Sequence, residues 1–167
     1  LTPVLEPGVA SKEPSITAGN ASQLSDGASA SVLMSDTEAS RRGLTPLGIY
    51  RGMAVAGVAP DEMGIGPVFA VPKLLDAHGL KIDDIGLWEL NEAFAVQALA
   101  CIRDLGLNPD IVNEFGGAIA LGHPPGASGT RIALTLLNRL EQSDEKRGLA
   151  TMCVGVGQGS AVLLERA

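Results

Sequence analysis

The chain has 167 residues, a formal net charge of −7 and a pI of about 4.7. That length can form one domain burying roughly 70% of its unfolded surface, with no need of a disulfide or a metal. The acidic balance argues against nonspecific nucleic-acid binding, which rests on clustered Lys and Arg, but leaves room for an anionic small ligand held by a few arginines or a helix N-terminus.

Hydrophobic residues make up 46% of the chain and aromatics only 3%, so Ala, Val, Leu and Ile must build the core. Two cysteines far apart make neither a disulfide framework nor a metal cluster, and a reducing compartment follows. The sequence contains no apolar run of membrane-spanning length and no signal-peptide pattern, which points to a cytoplasmic protein.

In chain order, residues 1–15 carry three prolines and no amphipathic period, so they read as a connector. The start at Leu1 favours a processed or cut polypeptide. The small polar stretch Thr17–Gly27 reads as a surface turn. Residues 28–34 are small and apolar, a candidate strand. Ser35-Asp36-Thr37-Glu38 is a capping box that opens a short helix ending at Gly43.

A strand is expected over 48–58 and a helix over 67–78, stopped by Gly79, although Pro72 is awkward inside it. Residues 85–90 form a buried strand. Phe94, Ala98, Cys101 and Leu105 recur at helical spacing, which predicts a helix over 92–105 ended by Gly106. Ile132, Leu136 and Leu140 mark another helix over 128–142. Two apolar strands, 149–154 and 160–164, are joined by a glycine run. This alternation is an α/β layered domain, a mixed sheet with helices on its faces.

Two of the 21 glycines' densest settings hold reactive residues. One is Gly116-Gly117-Ala118-Ile119-Ala120-Leu121-Gly122-His123-Pro124-Pro125-Gly126-Ala127-Ser128-Gly129-Thr130-Arg131, the other Cys153-Val154-Gly155-Val156-Gly157-Gln158-Gly159. Together they read as a reaction centre. His123, framed by Gly122 and Pro124, is either a satisfied structural residue or a pre-positioned general base. Cys153 is either inert packing, as Cys101 is on its helix face, or part of a site in which the Gly155 N–H helps form an oxyanion hole.

Asn91 stands where a strand meets a helix. It is either an N-cap or an amide presented to a substrate oxygen or to a fixed water. His78 reads as a partner of its helix C-terminus. The V-G-V-G-Q-G run lacks the spacing and the following helix of a dinucleotide fingerprint.

The stretch T-A-G-N-A-S…D-G-A, then N-E-A-F, G-G-A-I-A-L-G-H-P…G-A-S-G…R and C-V-G-x-G-Q-G, in that order, resembles the thiolase family of acetyl-CoA acetyltransferases and 3-ketoacyl-CoA thiolases. The resemblance runs from about Thr17 to the C-terminus. It implies a thiolase-like layered αβα domain, one half of a duplicated αβαβα fold. Residues 1–43 would close the N-terminal half, and residues 44–167 would form the C-terminal domain.

It further implies acyl transfer between coenzyme A thioesters, either thiolytic cleavage of a 3-ketoacyl-CoA or the reverse condensation. No cofactor is permanently bound, and acyl-CoA is the substrate. By resemblance, His123 activates a nucleophilic cysteine, and Asn91 holds a water in the same oxyanion hole. Cys153 moves a proton at the substrate α-carbon, and the Gly155 amide serves a second oxyanion hole. Ser22 lies along the pantetheine arm, with Ala93 and Phe94 lining that tunnel. Glu114-Phe115 and Pro125 depart from the usual pattern around the His loop.

The family's nucleophilic cysteine belongs to an N-terminal half that this sequence lacks, and neither Cys101 nor Cys153 matches it. The chain alone is therefore expected to be inactive. It needs that half as a partner, and homo-oligomerisation of the completed protein is implied. The internal face toward that half would be the helix 92–105 or the helix 128–142. Two readings compete: a non-catalytic thiolase-like module for assembly or acyl-CoA binding, and a hydrolase in which Cys153 itself is the nucleophile paired with His123.

Overall fold

A computed structural model describes residues 13–167. Most of the N-terminal connector therefore lies outside the described residues. Five helices and four strands follow in chain order: α1 (Asp36–Arg41), β1 (Ile49–Gly57), α2 (Gly66–His78), β2 (Leu87–Leu90), α3 (Ala95–Leu105), α4 (Ala118–Leu121), α5 (Ser128–Ser143), β3 (Arg147–Val154) and β4 (Gln158–Glu165). Short 3-10 turns precede α2, β2 and α4.

The strands form one mixed sheet in the order β1-β4-β3-β2. The pairs β1/β4 and β4/β3 are antiparallel, and β3/β2 is parallel. Side-chain alternation sorts the core into two clusters. On one face Trp88, Leu90, Leu149, Ala161 and Leu163 meet Val71 and Leu74 of α2 and Ala98 and Cys101 of α3. On the other, Leu87, Ala150 and Leu164 meet Ile132, Leu136 and Leu140 of α5. The result is a helix–sheet–helix sandwich, the layered αβα architecture expected from the alternation.

All four residues of β2 are buried, as suits a strand covered on both faces. Helices α2 and α3 stop at the expected glycines, Gly79 and Gly106, both left-handed. Pro72 lies inside α2 but on its exposed side, opposite Val71, Leu74 and Leu75, so its ring meets solvent. The exposed His78 packs against Gly52 of β1, where a Cβ would crowd the imidazole.

Three expectations are corrected. Residues 28–34 form no strand; Val32 and Leu33 are 86% and 75% exposed. Apolar alternation needs a neighbouring strand to become a ladder, and no described strand lies beside this segment. At α1 the capping box is half-made. Ser35 Oγ accepts from Glu38 N at 3.2 Å, but the Glu38 carboxylate turns to Arg41 and Arg42 instead of reaching back.

Helix α3 begins at Ala95 rather than at 92, and Phe94 is its N-cap residue. Asn91 is thus no cap. The first amide of α3, Ala95 N, bonds the Asn20 carbonyl at 2.8 Å, so a distant segment supplies the cap. Of the two candidate internal faces, α3 presents Val96 and Leu99, both more than half exposed, while α5 buries its apolar stripe.

One buried charge ties three strands at the sheet's far end. Glu165 is 6% exposed and accepts from Arg51 Nε at 2.7 Å and from Arg147 Nε at 2.8 Å. Burial opposes its ionisation, but the two guanidiniums hold its carboxyl below the ordinary carboxylate range. A depressed carboxylate stabilises the fold above its unfolded pKa and loses that contribution as pH falls through its folded one. Glu165→Gln should therefore lower the unfolding free energy by about 1.5–3 kcal/mol at neutral pH, the usual worth of hydrogen bonds to a charged group. Urea titration at pH 7 and at pH 3 should show the difference shrinking in acid.

Candidate active site

The parallel pair β2/β3 positions two of the expected residues. Leu90 pairs with Thr151, and Asn91 N continues the ladder by bonding Thr151 O at 2.9 Å. Asn91 and Cys153 therefore leave the same carboxyl edge of adjacent strands, where open α/β sheets present ligands. Gly155 stands two residues further, in the three-residue turn that reverses β3 into β4.

A second segment gathers the rest. Ala21 bridges Phe94, Ser22 N bonds Ala93 O at 3.0 Å, and Ser22 Oγ bonds the same carbonyl at 3.3 Å. One residue on, Gln23 O accepts from His123 N at 2.9 Å, and Leu24 bridges His123. Residues 20–24 thus stitch the Ala93-Phe94 turn to the His123 loop. Of the surface turn expected over Thr17–Gly27, only its start is a turn, closed by Thr17 N to Asn20 Oδ1 at 2.6 Å; residues 20–24 pair with the site segments instead. Ser22, Ala93, Phe94 and His123 share one strip of backbone, and Asn91 lies two residues before it. Among the described residues, the side chains of Asn91, His123 and Cys153 make no hydrogen bond with one another.

Each group has a distinct electrostatic setting. Asn91 is 1% exposed, and both its Oδ1 and Nδ2 lack a partner among the described residues. A buried carboxamide left unpaired costs about 1–3 kcal/mol, and such a group calls for an explanation. His123 Nδ1 lies 2.7 Å from Ser128 Oγ, and that hydroxyl donates to Pro124 O at 2.9 Å. The single Ser128 proton is thereby used, so its oxygen accepts from Nδ1–H, and the Nε2 lone pair is left as the basic position. Desolvation, aided by Arg131, holds the imidazole below its ordinary pKa and favours that neutral form.

Burial pushes the Cys153 thiol up, so it rests as S–H and suits proton donation better than attack. This disfavours the hydrolase reading, in which Cys153 would be a thiolate. Cys101 is buried too, pushed up to about 11, and its Sγ contacts Gly64 O at 3.4 Å, as inert packing should. The Gly155 residue is exposed, and among the described residues no acceptor takes its N–H. The next residue, Val156, is β-branched yet adopts φ 66°, a strained conformation of the kind concentrated at functional turns. A cavity of about 70 Å³ between α5 and the sheet, lined by Ile132, Ala150 and Met152, is a packing gap lined by none of these residues.

Three residues escaped the sequence reading. Ser128 sits inside the quoted glycine-rich motif, but nothing in its spacing marks it as the tautomer-setting partner of His123. Glu92 sits inside the quoted N-E-A-F motif with no role read from it, and Asn113 lies outside the quoted motifs. Asn113, at φ 51°, accepts from Leu90 N and donates to Leu90 O, both at 2.8 Å, like an extra peptide at the end of β2.

Residues 44–166 match the family described as thiolase, C-terminal domain. The chain belongs to the thiolase family. It is 55% identical over 93% of its length to an acetyl-CoA acetyltransferase of Paracoccus denitrificans, covering 40% of that protein. It is 59% identical over 92% of its length to a beta-ketoadipyl-CoA thiolase of Pseudomonas aeruginosa, covering 39% of it. The crystal structure of the Bacillus anthracis acetyl-CoA acetyltransferase superposes with a TM-score of 0.93 at 42% identity, over all of this chain and 41% of that one. Human mitochondrial 3-ketoacyl-CoA thiolase gives 0.87 at 40% identity, over 96% of this chain and 41% of that one. The thiolase chain described here thus spans about 40% of the length of the curated relatives it matches. The fold expected from the resemblance is the fold observed.

Iodoacetamide at neutral pH should label Cys153 no faster than Cys101 in the folded chain, read by peptide mapping; rapid Cys153 labelling would restore the nucleophile reading. Glu89 is 2% exposed, and its Oε2 has no partner among the described residues. Desolvation raises its pKa to about 7, against the pull of Arg131. A carboxyl whose folded pKa is raised keeps its proton longer than in the unfolded chain. Stability therefore falls as pH rises from about 4.5 to about 7. Glu89→Gln should flatten that slope in urea titrations across the window.

Proposed function

We propose that the chain is the C-terminal part of a thiolase that transfers acyl groups between coenzyme A thioesters, by cleaving 3-ketoacyl-CoA or running the reverse condensation. The observation that carries this reading is the buried, unpaired Asn91 carboxamide on the same parallel-strand edge as Cys153. A non-catalytic assembly module would leave that amide idle at a cost of about 1–3 kcal/mol. In a catalytic site it holds a water that helps stabilise an oxyanion.

The roles follow from each group's state. His123 Nε2 takes the proton of a nucleophilic thiol supplied by the N-terminal half. The resulting thiolate attacks the 3-keto carbon, whose oxygen becomes the oxyanion. The bond to the α-carbon breaks, the acyl group stays on the nucleophile, and the enolate of acetyl-CoA leaves. The Cys153 S–H, kept protonated by burial, gives its proton to that carbon, while the Gly155 N–H faces the enolate oxygen. Coenzyme A then takes the acyl group: its thiol proton passes to the Cys153 thiolate, its sulfur displaces the nucleophilic cysteine, and that cysteine recovers the proton held on His123. Ser22, Ala93 and Phe94 line the pantetheine arm of coenzyme A.

In this reading residues 1–43 end the N-terminal half, and residues 44–167 are the C-terminal domain. The completed protein is a cytoplasmic homo-oligomer that uses acyl-CoA as substrate and keeps no permanently bound cofactor. Among the described residues, no helix is long and apolar enough to cross a membrane.

Joining the chain to a thiolase N-terminal half with its nucleophilic cysteine should produce acetoacetyl-CoA cleavage, followed as loss of the substrate's absorbance, whereas the chain alone should show none. In the joined protein, Cys153→Ala should lower turnover by about 10²–10⁴-fold, as expected for a lost proton donor. Asn91→Ala should lower it about 10²–10³-fold, as expected for a lost oxyanion contact. An undiminished rate in Cys153→Ala would refute the assignment.

A further inference from the structure

One carboxylate ties the turn that carries Asn91 to the turn that carries His123. Glu92 follows Asn91 directly and is half-buried. Its Oε2 accepts from Ile119 N at 3.1 Å, and its Oε1 accepts from Asn113 Nδ2 at 3.3 Å. Ile119 is the second residue of α4, a single helical turn whose N-cap, Gly117, has no side chain to satisfy the first amides. Glu92 supplies that missing acceptor from 27 residues away. Gly117 provides the space, because a Cβ there would run into the Glu92 carboxyl group.

The far end of α4 passes through Gly122, at φ 94°, into His123. The His123 backbone thus begins where the single turn capped by Glu92 ends. On the other side, Asn113 fixes Glu92 to the end of β2, since the same carboxamide bonds both polar groups of Leu90. The path runs from the β2 exit through Asn113 and Glu92 to α4 and His123. Each of these links is a hydrogen bond or a continuous backbone.

We propose that Glu92, braced by Asn113, is a positioning residue that clamps α4 against the exit of β2 and so holds the His123 ring in its desolvated place beside the Asn91 turn. The proposal rests on the reading of His123 as the base of the site. An N-cap that served only to stabilise α4 would affect stability and leave the imidazole's titration alone. A clamp also sets how far water reaches the ring. Desolvation is the main cause of the low His123 pKa, so releasing the turn raises it toward the ordinary value. Arg131 of α5 is the charged group acting on the ring, and the variants below do not alter it.

The test uses the isotopically labelled chain with no coenzyme A present. The His123 ring is titrated by NMR, and amide exchange is followed at Ile119. Glu92→Ala removes the acceptor, Glu92→Gln keeps a side-chain carbonyl in the same place, and Gly117→Ala drives the carboxyl away without deleting it. Glu92→Ala and Gly117→Ala should each raise the His123 midpoint by about half a pH unit or more and cut Ile119 protection about tenfold. Glu92→Gln should keep both close to wild type.

An unchanged His123 midpoint in a Glu92→Ala chain that retains its native amide spectrum overturns the clamp. So does an equal rise in Glu92→Gln, which still offers a carbonyl to Ile119 N and leaves the turn held. If Glu92→Ala does not fold, Gly117→Ala carries the same decision. Because no substrate or turnover enters these measurements, the clamp and the proposed acyl transfer can fail separately.

Discussion

The parallel pairing of β2 with β3 is the constraint on which the site depends. Parallel strands point their carboxyl ends the same way, and the bond from Asn91 N to Thr151 O carries the ladder one residue past Leu90. Two residues more than 60 positions apart in sequence then emerge on one edge of the sheet. The antiparallel hairpin from β3 to β4 must reverse the chain immediately after Cys153, which brings Gly155 to the same edge and forces Val156 into a left-handed conformation. A β-branched residue held there costs of order 1–3 kcal/mol.

The polar groups around this edge show a consistent pattern. Groups that shape the backbone are fully paired: Asn113 with Leu90, Ser128 with His123 and Pro124, Glu92 with Ile119. The Asn91 carboxamide, by contrast, is buried with neither atom paired among the described residues. A framework in which the supports are saturated and the presented group is free is what preorganised electrostatic catalysis requires. Among the described residues, the buried Glu89 and the buried guanidinium nitrogens of the half-buried Arg131 also lack partners, and the pull of Arg131 holds part of the Glu89 shift in check.

Several apolar residues of the chain stand exposed. Val32 and Leu33 stand in solvent, as do Val96 and Leu99 on α3. The segment 28–34 has the composition of a strand and lacks a neighbour to pair with, and a strand cannot exist alone because its backbone groups need a partner ladder. The same composition beside another edge would read differently. This is why the strand expectation failed here, while the expectations for 48–58, 149–154 and 160–164, each with a partner in this chain, agree with β1, β3 and β4.

Periodicity and punctuation in the sequence determined most of the elements. Glycine stops, helical apolar spacing and alternating runs depend on local geometry, and local geometry is written in neighbouring residues. The motif order likewise identified the family, and with it the expected site positions 22, 91, 93, 94, 123, 153 and 155. Tertiary structure alone decided what each group can do. That α3 begins at Ala95 and is capped from Asn20, that Ser128 sets the His123 tautomer, and that Glu92 and Asn113 brace the two turns all depend on contacts between segments far apart in the chain. A hydrogen bond between distant residues leaves no period in the sequence, because its partner is chosen by the packing of the sheet and not by spacing along the chain.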